Sequence, residues 1–399
     1  MAAMSIRQAD IVDMLRVLIG FDTVSRNSNL ALIDWAEDRL LAHGATTRRF
    51  ESDDGRKANL WATIGPDVAG GIVLSGHTDV VPVDGQPWDT DPFTLTERDG
   101  KLFGRGTSDM KCFSALALGF LPQMREAGLK RPIHFALSYD EEVGCSGCRS
   151  MVEYAGARDN RPAFVIVGEP TEWHLVDSHK GINVFQVEVM GLEAHSSQTH
   201  KGINAISYGA RLITFLESIE KKLMDDGDPS GRFDPAFTSL HVGVLSGGTA
   251  QNIIPRRCRF TFEYRPLPGA DVSAITAEIR DYAQTVLAAE MKAKAQAIGA
   301  DPDEVGITIT EGVRVPPLAP GDATQALGAM MRLAETNEAQ AVSYGTEAGH
   351  FANQGLPTYV CGPGSIAQAH KPNEFIALSE IDAGIRFFER LIALASEPA

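Results

Sequence analysis

The sequence predicts an α/β protein: a mixed, mostly parallel sheet flanked by helices, interrupted by an inserted ferredoxin-like βαββαβ domain. Three observations predict it. Strand-like and helix-like stretches alternate from 61 to 168, the pattern of parallel strands joined by crossover helices. After His179-Lys180-Gly181 the order becomes strand, helix, strand, strand, helix, strand, which is the ferredoxin-like arrangement. From 322 onward a helix, an apolar strand and a helix resume the first pattern. The first domain is therefore expected at 1–180 and 313–399, and the inserted one at 181–312.

Length and composition agree with two domains. A chain of 399 residues exceeds what one ordinary core organises. Its 36 Lys+Arg against 52 Asp+Glu leave a net charge of −16, which argues against nucleic acid or an anionic membrane as partner. Five cysteines, an odd number in a long chain, make no disulfide framework. Ile11, Met14, Leu15, Leu18 and Ile19 recur at helical spacing, so the start reads as an amphipathic helix and not as a signal peptide. No apolar run approaches a membrane span, and a cytoplasmic protein is expected.

Along the first domain, Leu60-Trp-Ala-Thr-Ile64 and Ile72-Val-Leu74 are expected as neighbouring strands, followed by a long loop over 82–102. A helix is predicted over 110–125, and strands at 133–138 and 163–167. In the inserted domain Val184, Phe185, Val187 and Val189 mark a partly alternating strand. A helix at 204–223, strands at 239–245 and 258–264, an Ala-rich helix at 273–298 and a strand at 307–311 complete it. The first domain resumes with a helix at 322–336, a strand at 356–360 and a final helix at 380–394.

Acidic and imidazole side chains gather where these elements end or begin. His77 follows the 72–74 strand with Asp79 two residues on, and Asp109 precedes the 110–125 helix. Glu141 and Glu142 follow the 133–138 strand, Glu169 follows 163–167, and His370 lies in the loop after 356–360. Open α/β sheets bind ligands beyond the carboxyl ends of their strands. Carboxylates collected there repel one another unless a cation joins them. Two His and three carboxylates make a poor closed zinc site, which normally takes four Cys or His ligands. They suit two ions about 3.5–4 Å apart with a bridging carboxylate. Asp109 is the natural bridge, with one His and one Glu for each ion and either Glu141 or Glu142 left as a base. A carboxylate such as Asp79 is placed to orient a ligating imidazole. Cys145-Ser-Gly-Cys148 has a redox or zinc spacing without a second pair, His195 alone reads as a surface residue, and Gly362-Pro-Gly364 is a turn.

With these residues assembled, the chain resembles the co-catalytic zinc aminoacylase/carboxypeptidase family. The resemblance rests on Gly76-His-Thr-Asp-Val-Val-Pro82, 88–93, Gly104-Arg-Gly-Thr-Ser-Asp-Met-Lys111, Asp140-Glu-Glu142, Gly168-Glu-Pro-Thr171 and His179-Lys-Gly181. It continues through Arg265-Pro-Leu-Pro-Gly269, Gly345-Thr-Glu-Ala348 and Gly362-Pro-Gly-Ser-Ile366 to His370. The Arg265 and Gly362–His370 strings are similar to the family's deacetylase branch.

The resemblance implies a zinc-exopeptidase-like sheet and two divalent metal ions, zinc or cobalt. It places His77 and Glu169 on one ion and Glu142 and His370 on the other, with Asp109 bridging and a cis peptide after it. Asp79 would orient His77, and Glu141 would be the general acid/base. His195 would reach across a homodimer to the oxygen of the tetrahedral intermediate, which makes 181–312 a lid and dimerisation domain. Arg265 and Asn252 would bind the substrate carboxylate. Gly345, Thr346 and Glu347 would line the substrate site, with Glu347 reading a cationic side chain. The implied activity is hydrolysis of a linear amide on a small N-acyl amino acid, N2-acetyl-L-ornithine for this branch. Desuccinylase, aminoacylase and dipeptidase activities are the alternatives within the family, and a catalytically inactive metal-binding protein is the alternative outside it. Gln198-Thr-His-Lys201 lacks the proline relatives often carry, which bears only on local lid geometry.

Overall fold

The structure, a computed structural model, describes residues 6–322 and 324–397. These fall into two compact units. Unit 1 takes the described residues of Met1–His179, Leu318–Ala341 and Thr346–Ala399, and unit 2 takes Lys180–Pro317 and Val342–Gly345. The insertion therefore runs five residues beyond the expected 312. One reason is that its last strand continues past 311 to Val315, still pairing with its neighbour. Residues 342–345, expected in the first domain, cluster with unit 2, and the Lys180 amide donates to the Val342 carbonyl (3.3 Å).

The strands are β1 (Thr46–Glu51), β2 (Ala58–Ile64), β3 (Ile72–His77), β4 (Thr96–Arg98), β5 (Lys101–Phe103), β6 (Ile133–Ser138), β7 (Phe164–Val167) and β8 (Val176–His179). The insertion holds β9 (Ile182–Met190), β10 (Ser239–Gly247), β11 (Arg257–Arg265) and β12 (Gly306–Val315), and β13 (Gln340–Val342), β14 (Thr358–Val360) and β15 (Phe375–Ala377) follow. An eight-stranded sheet runs β1-β2-β6-β3-β7-β14-β8-β13, parallel through its centre from β6 to β14. The strands at 60–64 and 72–74 are thus not neighbours: β6 lies between them, and Ile133 pairs with both Ile64 and Ile72. An apolar run marks a buried strand but says nothing about which strand lies beside it. Within the loop expected over 82–102, β4 and β5 form a hairpin that β15 extends to three strands.

Helices α1 (Gln8–Ile19), α2 (Leu30–Ala42), α3 (Lys111–Gly119), α4 (Leu121–Glu126) and α5 (Arg149–Ala157) belong to unit 1. The predicted 110–125 helix breaks into α3 and α4 at Phe120, with Pro122 in the first turn of α4, where its missing N–H costs no helical bond. Every residue of α3 is buried, Lys111 included, whose ammonium donates to the carbonyls of Leu18 (3.1 Å) and Phe21 (2.9 Å) behind the α1 C-terminus. In unit 2, α6 (Ala205–Asp226), α7 (Val272–Asp281), a π-helical stretch at 282–288 and α8 (Ala289–Ala297) accompany an antiparallel sheet ordered β10-β11-β9-β12. That order is the ferredoxin-like one, and its core includes Phe185 and Phe262 stacked 4.9 Å apart. Unit 1 closes with α9 (Thr324–Leu333), α10 (Ala348–Asn353) and α11 (Leu378–Ser396).

Because β6, β3, β7 and β14 are parallel neighbours, their carboxyl ends share one edge of the sheet. The chain leaves that edge through 139–142, 77–79, 168–169 and 361–370. A side chain at Gly168 would place its Cβ 2.0 Å from the Phe113 ring, so only glycine lets the β7 exit pass over α3.

Candidate metal centre

The strand exits bring His77, Asp109, Glu141, Glu142, Glu169 and His370 together. The two oxygens of Asp109 face different imidazoles: Oδ1 is 3.0 Å from His77 Nε2, and Oδ2 is 3.3 Å from His370 Nε2. Beyond the first imidazole lies Glu169 Oε1 (3.8 Å), and beside the second lies Glu142 Oε2 (2.9 Å). The Asp109–Met110 peptide is cis. Two ligand groups have donor atoms within metal-holding reach of one another: His77, Glu141 and Glu169, and His77, Asp109 and Glu142.

Burial of so many acids in one place shifts their ionisation. Desolvation pushes the Glu141 carboxyl up to about 8 and Glu142 up to about 7, and raises Glu169 well above the carboxylate range. For Asp109 burial also acts upward, but the bonds from His370 and His77 outweigh it and hold this carboxyl low. Bonds to Asp109 and Glu142 raise His370 to about 10. His77 is raised too, against its burial, by Asp109 and the surrounding carboxylates. Without a cation the cluster keeps its charge down by holding protons. Glu169 Oε1 is buried and has no hydrogen-bond partner among the described residues, a position a divalent ion would satisfy.

Supporting contacts set the ligand atoms. His77 Nδ1 donates to the Asp79 carbonyl (2.8 Å), which leaves Nε2 for the cluster. The Asp79 carboxylate, expected to orient His77, stands 3.7 Å from Nδ1. It also accepts from Ser25 Oγ (2.7 Å) and from the amides of Glu141 (3.2 Å) and Glu142 (3.3 Å), so it fixes the acidic pair as well. Main chain takes the orienting role because the turn after β3 points the Asp79 carbonyl back at the ring.

A family model described as Peptidase family M20/M25/M40 matches residues 73–394. The chain belongs to that family. It is a hydrolase of amide bonds. Acetylornithine deacetylase of Myxococcus xanthus is 36% identical over 375 residues, covering 92% of each chain. The protein of the same name from Proteus mirabilis is 34% identical, covering 98% of this chain and 97% of the relative. Among solved structures, aminopeptidase PepT from Bacillus cereus superposes with a TM-score of 0.72 at 20% identity, covering 98% of this chain and all (100%) of that one. The M20 family metallo-carboxypeptidase Sso-CP2 from Sulfolobus solfataricus superposes with 0.73 at 17%, covering 97% and 99%. These structural likenesses establish the fold.

Within this family member the expected substrate residues are placed unevenly. Glu347 is 1% exposed, and its oxygens accept from Ser75 Oγ (2.6 Å) and Ser138 Oγ (2.7 Å) on β3 and β6. A carboxylate so enclosed presents no face to a substrate ammonium, which corrects the cation-reading role expected for it; it ties two strand ends together under the centre. Thr346 is likewise buried, its hydroxyl 3.2 Å from His179 Nε2, and Gly345 lies in unit 2. In unit 2, His195 is exposed with Nδ1 2.8 Å from Ser197 Oγ, and the adjacent Ser196 amide donates to the Asn252 carbonyl (3.0 Å). Arg265 Nε donates to Glu263 (3.0 Å), and its side chain is 34% exposed.

Three residues the sequence reading missed support the centre. The Glu374 carboxylate is buried against Arg105 (2.7 Å) and accepts from the amides of Gly106, Ser108 (2.8 Å) and Asp109 (3.1 Å). Arg105 also donates to Gln86 Oε1 (2.6 Å), and Gln86 Nε2 donates to the His370 carbonyl (3.0 Å). One chain of bonds thus joins the backbone of Asp109 to that of His370. The only sequence hint was the glycine-rich 104–108 loop, whose successive amides need an acceptor.

Proposed function

We propose that the chain hydrolyses N2-acetyl-L-ornithine to L-ornithine and acetate, with two divalent metal ions and Glu141 as general acid/base. The observation that carries the two-ion reading is Asp109, one carboxylate whose two oxygens face two imidazoles, each with its own glutamate. His77 and Glu169 would hold one ion, Glu142 and His370 the other, and Asp109 both. Zinc and cobalt suit these nitrogen and oxygen donors. Bound there, the ions supply Lewis acidity and a water acidic enough to ionise near neutral pH.

The chain's own groups do the rest. Glu141 takes a proton at its carboxylate from the attacking water and returns it to the leaving amine. From a second copy of this chain, His195 would donate to the oxyanion, and Arg265 with Asn252 would hold the substrate carboxylate. Their exposure and their donor chemistry support these roles. Relatives named acetylornithine deacetylase, at 32–36% identity across most of the chain, support the substrate. Removal of the acetyl group to free the amine of ornithine fits arginine biosynthesis. Five cysteines, an odd number in a long chain, make no disulfide framework, and we propose a cytoplasmic site of action.

A second copy of this chain is the expected partner. The β10 strand lies at the edge of its sheet with Val244 and Leu245 63% and 57% exposed, an edge suited to a homodimer. Sedimentation of the wild type against Leu245→Glu tests it: a dimer that the variant splits is expected, and a wild-type monomer contradicts it.

The substrate is tested by steady-state hydrolysis with zinc- and cobalt-loaded protein. N2-acetyl-L-ornithine, N-acetyl-L-methionine, N-succinyl-LL-diaminopimelate and a neutral dipeptide are compared. The expected kcat/KM for acetylornithine is at least about tenfold above the others. Preference for another substrate withdraws the deacetylase assignment, and no turnover of any by metal-loaded protein revives an inactive binding protein.

A further inference from the structure

The Cys145-Ser-Gly-Cys148 string has no part in the metal cluster, yet it sits against the group assigned the proton transfers. Cys145 Sγ donates to Glu141 Oε1 (3.2 Å), the only side-chain hydrogen bond to that carboxyl among the described residues. The same residue grips Glu141 from its other end, the Cys145 amide donating to the Glu141 carbonyl (2.9 Å). Cys145 achieves both because its φ of +53°, next to Gly144 at +114°, turns the chain back over Glu141. Cys148 then closes the turn, its Sγ donating to the Cys145 carbonyl (3.3 Å). Both sulfurs belong to buried residues, 2% and 1% exposed.

We infer that Cys145 is a positioning residue for Glu141, its thiol holding the acid/base carboxyl in the orientation that meets the attacking water, with Cys148 bracing the turn. This rests on the assignment of Glu141 as the acid/base. A thiol suits the task physically. It is a weak donor, so it orients an oxygen without withdrawing much of its basicity, whereas a charged donor would bind the proton acceptor too firmly. Burial raises the Cys145 thiol well above its ordinary range, so it stays neutral. The left-handed backbone excludes β-branched replacements, and alanine and serine carry the same backbone cost as cysteine.

The test uses Cys145→Ala and Cys145→Ser in metal-loaded protein. Cys145→Ala is expected to lower kcat about tenfold, with KM, metal content and melting temperature unchanged. Cys145→Ser, which keeps a donor, is expected to recover most of that loss, and Cys145→Ala is expected to cost nothing further in a Glu141→Gln background. A second readout needs no substrate: the infrared S–H stretch of Cys145, assigned by its disappearance in Cys145→Ser, should move to higher frequency in Glu141→Gln. Full kcat in Cys145→Ala overturns the inference, as does an S–H band indifferent to Glu141→Gln. If wild-type protein hydrolyses none of the substrates, it is the functional reading that fails, and the S–H band alone decides whether Cys145 holds Glu141.

Discussion

The two halves of the candidate centre are built by different means. His77 and Glu169 stand at the exits of adjacent parallel strands, their side chains 0% and 6% exposed. His370 stands in a loop, in the left-handed region at φ +64°, with its side chain 59% exposed, although its partner Glu142 is 5% exposed. Sheet register places the first pair, and the Asp79 carbonyl fixes the His77 ring from the same turn. The second pair depends on tethers: Gln86 on the His370 carbonyl and the Asp79 carboxylate on the Glu142 amide. The contrast teaches that one shared carboxylate joins a rigid half-centre to a looser one, and unequal metal affinities should follow.

The largest effects should come from the ligands. Metal analysis after dialysis is expected to find one equivalent of zinc in His370→Ala and no firmly held zinc in His77→Ala or Asp109→Ala. Loss of both ions from His370→Ala would erase the distinction. Next in size, Glu374→Gln leaves Arg105 buried beside a neutral partner, and urea unfolding should show about 3–5 kcal/mol lost.

A pH series sharpens the comparison further. His370 is raised from 6.5 to about 10, so in metal-free protein its contribution to stability is complete below 6.5 and disappears as pH rises through about 10. Glu141 and Glu142, raised from 4.5 to about 8 and about 7, act with the same sign over a lower window. The metal-free melting temperature should therefore fall between about pH 5 and pH 10, while zinc affinity rises over the same range because binding must expel these protons. A metal-free melting temperature that climbs with pH would contradict the shifts. Smallest, Gln86→Ala frees the His370 carbonyl, and calorimetry should show the second zinc bound about tenfold more weakly with the first unchanged.

What the sequence revealed follows from the same contrast. His77, Glu141, Glu142 and Glu169 were legible as a cluster because apolar runs such as Ile72-Val-Leu74 locate strand exits, and exits of parallel strands converge. Strand order was not legible, since Leu60 and Leu74 pair with β6 residues that no local pattern names. Helix α2 carries a helical period in Leu32, Ile33, Ala36 and Leu40, although no helix is among the sequence expectations there. Glu374 and Glu347 hide their roles for a shared reason. Each is bound by donors at least 209 residues away in sequence, and only the folded chain brings those together.

The measurement closest to the central claim is turnover of N2-acetyl-L-ornithine by Glu141→Gln, with bound zinc counted in the same sample. Two equivalents of zinc and a kcat lower by about 10²–10⁴-fold are expected, since the amide can neither take nor return the proton. A variant that holds its metal and keeps the wild-type rate would remove Glu141 from the chemistry.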